Sequence, residues 1–186
     1  MKFKTRLMTT EEIMRALKRI AHQITEKNNG VDSVVILGIA GGGIPIARQL
    51  GDYLETIEGK SVPVGVLDIS LHRDDLGLRA EAGETEAADA ASNRTDIPCD
   101  INGRDVVLVD DVLYTGRTAR AAFDALSEHG RAGTIQLAVL IDRGHRELPI
   151  RADYVGKNIP TSRSETIRIE YDGGVMPVVN IYDTAE

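Results

Sequence analysis

Two adjacent carboxylates, Asp110 and Asp111, directly follow the apolar run VVLV at residues 106–109. Such a run is typical of a strand that is covered on both faces of a parallel sheet, so the carboxylates are expected where that strand ends. There they could accept hydrogen bonds from a pair of vicinal hydroxyls, directly or through a hydrated magnesium ion. The pair therefore favours a ligand that carries a diol.

The next residues, TGRT at 115–118, predict a glycine-containing turn that opens a helix. Free backbone N–H groups and the helix dipole at such an N-terminus favour a phosphate group. Gly116 permits close approach, and the threonine hydroxyls add donors. The segment has neither the spacing of a P-loop nor that of a dinucleotide-binding fingerprint. A diol site beside a phosphate site indicates a site for a phosphoribosyl group.

The elements around these residues alternate between strands and helices. Thr9 and Glu12 have the spacing of a capping box, and the apolar periodicity behind them predicts a helix to about Asn28. Residues 34–39 (VVILGI) predict a buried strand that leads into three consecutive glycines. This alternation predicts an α/β domain with a parallel central sheet, whose ligand crevice lies at the carboxyl ends of the strands.

Length and composition indicate one globular domain. The chain has 186 residues, of which 42% are hydrophobic and 27% charged, with a net charge of −7. A single cysteine, Cys99, leaves no pair for a disulfide or a CxxC metal site. No segment reads as a secretory signal or approaches the roughly 20 apolar residues of a membrane span. We therefore expect a single domain over residues 1–186, located in the cytoplasm and without a membrane partner.

The acidic total argues against nucleic-acid binding, but the charge is unevenly distributed. Residues 1–29 hold seven Lys/Arg and three Asp/Glu, whereas residues 74–111 hold three Lys/Arg and eleven Asp/Glu. A local basic surface is therefore compatible with the composition. Residues 76–102 are small and acidic over much of their length, which predicts a mobile loop that serves as a lid.

The segment VVLVDDVLYTGRT (residues 106–118) resembles the phosphoribosyl pyrophosphate (PRPP) motif of type I phosphoribosyltransferases. Within that superfamily, LHRDDL (71–76), residues 135–165 and RALKRIAHQI (15–24) resemble the pyrimidine operon regulatory proteins. The resemblance implies a type I phosphoribosyltransferase fold of the α/β class, with a mostly parallel central sheet flanked by helices. It also implies a flexible lid at about 71–104 and a small hood at about 143–186.

For function, the resemblance implies a bifunctional protein. One activity is uracil phosphoribosyltransferase, which converts uracil and PRPP to UMP and pyrophosphate with Mg²⁺. The other is transcriptional attenuation through UMP-dependent binding to the leader mRNA of the pyrimidine operon. A homodimer or higher homo-oligomer is expected. By the same resemblance, Asp110 and Asp111 hold the ribose hydroxyls and the metal, and Arg73 meets the pyrophosphate.

The remaining residue roles also come from the resemblance. The residues expected to bind PRPP or UMP are Gly41, Gly42, Gly43, Val106, Val107, Leu108, Val109, Asp110, Asp111, Val112, Leu113, Tyr114, Thr115, Gly116, Arg117 and Thr118. Those expected to hold the base are Arg143, Val155 and Lys157, and the absence of an aromatic residue at position 157 favours a pyrimidine. Those expected to bind RNA are Arg15, Lys18, Arg19, His145, Arg146, Arg151, Lys157 and Arg163.

The chain departs from the family pattern in its pyrophosphate loop, residues 40–43. The family usually has a Thr-Arg pair where Gly41 and Gly42 stand, so one cation is missing from the leaving-group site. This departure leaves open weak catalysis, or a non-catalytic RNA regulator that senses nucleotides. In the latter case, an arginine at position 42 is expected to raise turnover strongly. A salvage phosphoribosyltransferase without an RNA role is the third alternative. His72 stands where the family commonly has tyrosine.

Overall fold

The computed structural model describes residues 1–74, 95–172 and 176–184. Most of the predicted lid, residues 75–94, lies outside this part of the chain. So do Gly173 and Gly174 of the sequence Asp172-Gly173-Gly174, which predicts a turn. The described elements form two sheets and three α-helices, together with a single 3₁₀ turn at Ser70–His72.

The central sheet has five strands that are all parallel, in the order β3-β2-β4-β5-β6. The strands are β2 (Val34–Ile39), β3 (Val64–Leu67), β4 (Asp105–Leu113), β5 (Thr134–Asp142) and β6 (Tyr154–Asn158). Every residue of β2 is buried, as its unbroken apolar sequence predicts. The predicted α/β architecture with a parallel sheet is confirmed.

Helices cover both faces of this sheet. They are α1 (Thr10–Lys27), α2 (Gly43–Glu58) and α3 (Arg117–Ser127). The apolar faces of α1 and α2 pack with one set of strand side chains, whereas α3 packs with the set that points to the opposite face. None of these helices is long and apolar enough to cross a membrane.

The second sheet is antiparallel, with the strand order β1-β8-β7. Its strands are β1 (Lys2–Met8), β7 (Glu165–Asp172) and β8 (Met176–Asp183). The apolar runs at 166–171 and 178–182 predict β7 and β8, but the charged N-terminal segment did not predict a strand. β1 forms because its backbone pairs with β8, while most of its side chains stay exposed.

Strand β6 belongs to the central sheet, although the sequence places it within the predicted hood at 143–186. The backbone of β6 pairs in parallel with β5, beginning at Ala138 and Tyr154. Tyr154 is buried in the core, and its hydroxyl donates a hydrogen bond of 2.5 Å to the side-chain oxygen of Gln136. This buried side chain anchors β6 to the central sheet.

The capping box of α1 generates a test of local stability. The Thr9 hydroxyl accepts from the Glu12 N–H, and the Glu12 carboxylate accepts from the Thr9 N–H at 2.8 Å. We expect Thr9→Ala to lower the free energy of unfolding by about 1 kcal/mol, because the first turn loses an acceptor. Thr56→Ala, an exposed change within α2, is the control and should cost nothing. Equal losses in urea unfolding would contradict the assignment.

Candidate active site

A cavity of about 880 Å³ lies where the ends of β2 and β4 face the second sheet. It is lined by Ala40 and Gly42 after β2, by residues 110–118 at the end of β4 and the start of α3, by Arg73, by Arg143 and Glu147 after β5, and by residues 166–170 of β7. This is the carboxyl edge of the parallel sheet, where the sequence predicts the ligand crevice.

The two carboxylates stand at the cavity wall because β4 changes there from buried to half-buried residues. Residues 106–109 have no exposed surface, whereas Asp110 and Asp111 are half-buried. The Asp110 carboxylate accepts from the Asp111 N–H at 2.9 Å, and the Asp111 carboxylate accepts from the Val112 N–H at 2.6 Å. These local bonds fix the direction of both side chains at the cavity.

The turn after β4 brings the N-terminus of α3 to the same cavity. Gly116 has a φ of +93°, a left-handed conformation that favours glycine, and α3 begins at the next residue. The Thr115 hydroxyl accepts from the Arg117 N–H at 3.4 Å. All four residues of the turn, 115–118, line the cavity. The predicted phosphate-binding turn and the predicted diol-binding carboxylates therefore border one space.

The loop after β2 approaches β4 so closely that a side chain at position 43 would meet the β4 backbone and one at position 42 would meet the Asp111 side chain. A Cβ atom on Gly43 would lie 2.2 Å from the Val109 carbonyl oxygen, and one on Gly42 would lie 2.1 Å from Oδ2 of Asp111. Atoms cannot approach this closely without movement of the neighbouring chain. The glycines thus allow the pyrophosphate loop to rest against the end of β4 and the Asp111 carboxylate.

Arg146 holds the segment that leads into the turn at residues 115–118. Its guanidinium donates to the carbonyls of Tyr114 at 2.7 Å and Ile150 at 3.0 Å, and to the carboxylate of Asp142. Burial acts to raise the pKa of Asp142, but the bonds from Arg146 and from the Gly144 N–H outweigh it and lower the pKa. Asp142 is therefore ionised at neutral pH and fixes Arg146 in place.

Arg143 links the same turn to the second sheet. It is buried, and its guanidinium donates to the Thr161 hydroxyl at 3.0 Å and to the carbonyl oxygens of Ser162 at 3.2 Å and Glu165 at 2.5 Å. The guanidinium carbon also lies 4.1 Å from the centre of the Tyr114 ring. Arg143 therefore fixes the start of β7 opposite the turn.

The structure brings most of the predicted ligand-binding residues together, but it separates some. Arg73, Arg143, Gly42 and residues 110–118 line the cavity, whereas Gly41, Gly43 and the buried residues 106–109 are not part of the lining. Val155 and Lys157, expected at the base, are also outside the lining. The Lys157 amine donates to the Leu7 carbonyl at 2.9 Å.

Sequence reasoning missed two parts of the cavity, namely Glu147 and residues 166–170 of β7. Glu147 accepts from the Arg117 guanidinium at 2.8 Å, which the spacing of 30 residues along the chain could not suggest. The run TIRIEY predicts a strand, but it contains no motif that says what the strand borders. β7 is the edge strand of its sheet, and residues on both of its faces line the cavity, so its backbone edge borders the cavity.

Fold and site together define an α/β protein with a ligand cavity at the carboxyl edge of a parallel sheet, bordered by two carboxylates and a turn that opens a helix. The family model described as phosphoribosyl transferase domain matches residues 5–172. A protein of Roseiflexus named bifunctional protein PyrR is 58% identical over 182 residues, which cover 96% of each chain. The protein of the same name from Thermus thermophilus is 54% identical over 92% of this chain and 91% of its own. The chain belongs to the phosphoribosyltransferase family and, within it, to the PyrR group.

Solved structures agree with this fold. A hypoxanthine phosphoribosyltransferase of Trypanosoma cruzi superposes with a TM-score of 0.68 at 20% identity, covering 97% of both chains. A hypoxanthine-guanine phosphoribosyltransferase of Bacillus anthracis gives a TM-score of 0.64 at 21% identity over 86% of each chain. At this identity the likeness concerns the fold alone. The predicted type I phosphoribosyltransferase fold is confirmed.

The contact between Gly42 and Asp111 changes what is expected of a side chain in the pyrophosphate loop. We expect Gly42→Ala, and still more Gly42→Arg, to reduce phosphoribosyl transfer at least tenfold, because the new Cβ displaces the Asp111 carboxylate. Steady-state rates of the folded variants measure this effect. Ala40→Gly, which removes atoms from the same loop, is the control. A gain in rate for Gly42→Arg would contradict this reading and favour a loop that has given up catalysis.

Proposed function

We propose that the protein transfers the phosphoribosyl group of PRPP to uracil and binds pyrimidine operon leader RNA in response to the product, UMP. The observation that carries the proposal is the pair Asp110 and Asp111 beside the turn 115–118 in one cavity. This arrangement suits a ribose diol and its 5′-phosphate. Relatives more than 50% identical share the name bifunctional protein PyrR, which fits a chain with two activities.

In the proposed reaction, a ring N–H nitrogen of uracil forms a bond to C1 of the ribose and loses its proton to solvent. The bond from C1 to the pyrophosphate oxygen breaks, and pyrophosphate leaves with the electron pair. The protein contributes positioning: Asp110 and Asp111 accept from the ribose hydroxyls, and the N–H groups at the start of α3 hold the 5′-phosphate. Since charge moves onto the leaving group, fixed donors and cations at the cavity wall lower the barrier.

The donor set fits magnesium that is shared with the substrate. Among the residues that the structure describes, no group of three or more His, Cys, Asp or Glu side chains could hold a metal ion. Mg²⁺ is commonly bound by one or two carboxylates together with substrate oxygens and water. Asp110 and Asp111 would hold it in this way, directly or through water or ribose hydroxyls. Bound magnesium would neutralise charge on the pyrophosphate.

Uracil would occupy the part of the cavity between Arg143 and β7. The edge of β7 borders this space with backbone N–H and C=O groups, which suit the amide-like edges of a pyrimidine. Arg143 supports this wall through the Glu165 carbonyl and stays a candidate base contact. Val155 and Lys157 would reach the base only after a rearrangement, since they lie outside the cavity lining.

The proposed RNA surface includes exposed basic residues of α1 and β6. The Arg19 guanidinium donates to the carbonyls of Val155 at 3.2 Å and Gly156 at 2.6 Å, which places it beside Lys157. Arg15, Lys18, Arg151 and Arg163 are also exposed. Such a surface would bind RNA phosphates in a salt-dependent manner. The Arg146 guanidinium instead donates to backbone carbonyls and to Asp142. Its contribution would therefore be to position the backbone at Tyr114 and at Ile150.

Tyr114 offers a physical route from nucleotide to RNA. Its ring lines the cavity, lies under the Arg143 guanidinium, and meets the ring of His145 edge-on at 5.9 Å. His145 is one of the proposed RNA contacts, and its Nε2 lies 2.5 Å from the Thr161 carbonyl oxygen. A nucleotide that orders Tyr114 would therefore also order His145.

The proposal further includes a homodimer or higher oligomer, which doubles the basic surface, and a cytoplasmic location.

An assay with purified protein, uracil, PRPP and Mg²⁺ tests the enzymatic half. We expect UMP formation, and we expect the double variant Asp110→Asn with Asp111→Asn to stay folded but lose turnover, because it cannot accept from the diol or hold the metal. Circular dichroism checks the fold. Absence of both UMP formation and PRPP binding by the unaltered chain would refute the enzyme. Turnover retained in the folded double variant would refute the assigned roles.

The RNA half is tested by gel shift on the operon leader, with and without UMP, across a salt series. We expect the double variant Arg15→Gln with Lys18→Gln to bind RNA more weakly and with a shallower salt dependence, because phosphate contacts are lost. Its UMP formation should be unchanged. Arg146→Gln should weaken both activities, since it releases the turn. The control is Arg131→Gln, an exposed change outside the proposed surface. No RNA binding at low salt would favour a salvage enzyme.

A further inference from the structure

The cavity raises a question of charge balance, because the proposed reaction releases pyrophosphate while the loop at residues 40–43 has no charged side chain. A side chain at position 42 would also meet the Asp111 carboxylate. Among the described residues, four arginines line the cavity: Arg73, Arg117, Arg143 and Arg168. The position of the leaving group should depend on which of them are available.

Two of these arginines are engaged in holding the protein together. Arg117 forms ion pairs with Glu147 at 2.8 Å and with Asp74 at 3.2 Å. Arg143 is buried, and its guanidinium donates to the Thr161 hydroxyl and to backbone carbonyls at the start of β7. A charge committed to such partners contributes less to an incoming anion, since binding the anion would weaken or break those bonds.

Arg168 differs from these two. It lies on β7, the edge strand that borders the cavity, and it is exposed. Within residues 1–74, 95–172 and 176–184, its guanidinium forms no ion pair and no side-chain hydrogen bond. It is therefore a cavity cation whose donors are available to a ligand.

The carboxylate nearest to Arg168 along β7 is satisfied by other partners. Glu170 lies two residues further on, hence on the same face of the strand. One of its oxygens accepts from the Asn180 amide at 2.7 Å, and the other accepts from the Tyr182 hydroxyl at 2.6 Å. The hydrogen bond to Glu170 raises the pKa of Tyr182, while the positive charge of Arg168 acts in the opposite direction. The Asn180 amide and the Tyr182 hydroxyl thus occupy both oxygens of Glu170. In the part of the chain that the structure describes, Glu170 does not form an ion pair with Arg168.

We propose that Arg168 binds the diphosphate of PRPP and of the departing pyrophosphate, supplying from β7 the positive charge that the glycine loop lacks. The inference rests on the proposed transferase function and assigns a further substrate-binding residue within it. A guanidinium suits this role because its planar donors pair with two phosphate oxygens at once. The leaving-group site is then built from two sides, with Arg73 at the end of the 3₁₀ turn and Arg168 on the second sheet.

The test compares ligands that contain a diphosphate with one that does not. Isothermal titration calorimetry of Arg168→Gln should show PRPP and inorganic pyrophosphate binding about 10- to 100-fold more weakly, the usual worth of a charge-assisted hydrogen bond. The affinity for UMP should change less than twofold, because UMP has no diphosphate. Arg168→Lys should recover part of the loss. Arg131→Gln, an exposed arginine outside both the cavity lining and the proposed RNA surface, is the control and should change neither affinity.

The outcomes separate this inference from the function on which it rests. Unchanged affinity of Arg168→Gln for PRPP and pyrophosphate, in a chain that forms UMP normally, would overturn the inference alone. Equal weakening of UMP and pyrophosphate binding would also overturn it, since Arg168 would then act on the nucleotide or on the fold. If the unaltered chain binds neither PRPP nor pyrophosphate, the proposed transferase function fails and the inference fails with it.

Discussion

The site depends on the close approach of the loop after β2 to the end of β4. A Cβ atom on Gly43 would lie 2.2 Å from the Val109 carbonyl oxygen, so the loop can rest on the strand only where residue 43 has no side chain. This contact brings the N-terminus of α2 and the two carboxylates of β4 to one edge of the sheet. Gly42 extends the contact to Asp111. The glycines that leave this loop without a charged side chain thus also let it rest against β4.

Two arginines near the cavity, Arg143 and Arg146, have a structural role. Arg143 and Arg146 donate to backbone carbonyls because a guanidinium offers five donors in a fixed plane, which suits the unpaired carbonyls of an irregular segment. Between them they hold the turn after β4 and the start of β7. As a result, the walls of the cavity are fixed relative to each other, and positive charge for a ligand must come from other side chains.

The sequence predicted the parts of the site that follow one another along the chain. Asp110, Asp111 and residues 115–118 are local, because a strand end and a helix start are set by apolar runs, glycine and cap residues. The helix α1 and its capping box were also predicted correctly. The strand β1 was not predicted. Its residues are mostly exposed, so burial of a side-chain face does not form it, and the segment becomes a strand by pairing with β8.

The sequence by itself determined the class of the protein, the parallel sheet, and the placement of Asp110, Asp111 and the turn at residues 115–118 after β4, since each is set by neighbouring residues. Only the tertiary structure decided which distant residues complete the cavity. It brought β7 to the cavity wall, turned Arg146 inward to Asp142, and left Val155 and Lys157 outside the lining. It also placed Gly42 against the Asp111 carboxylate. These outcomes depend on contacts between residues that are far apart in the sequence. A local sequence pattern does not encode the distances between such residues or the volume available to their side chains.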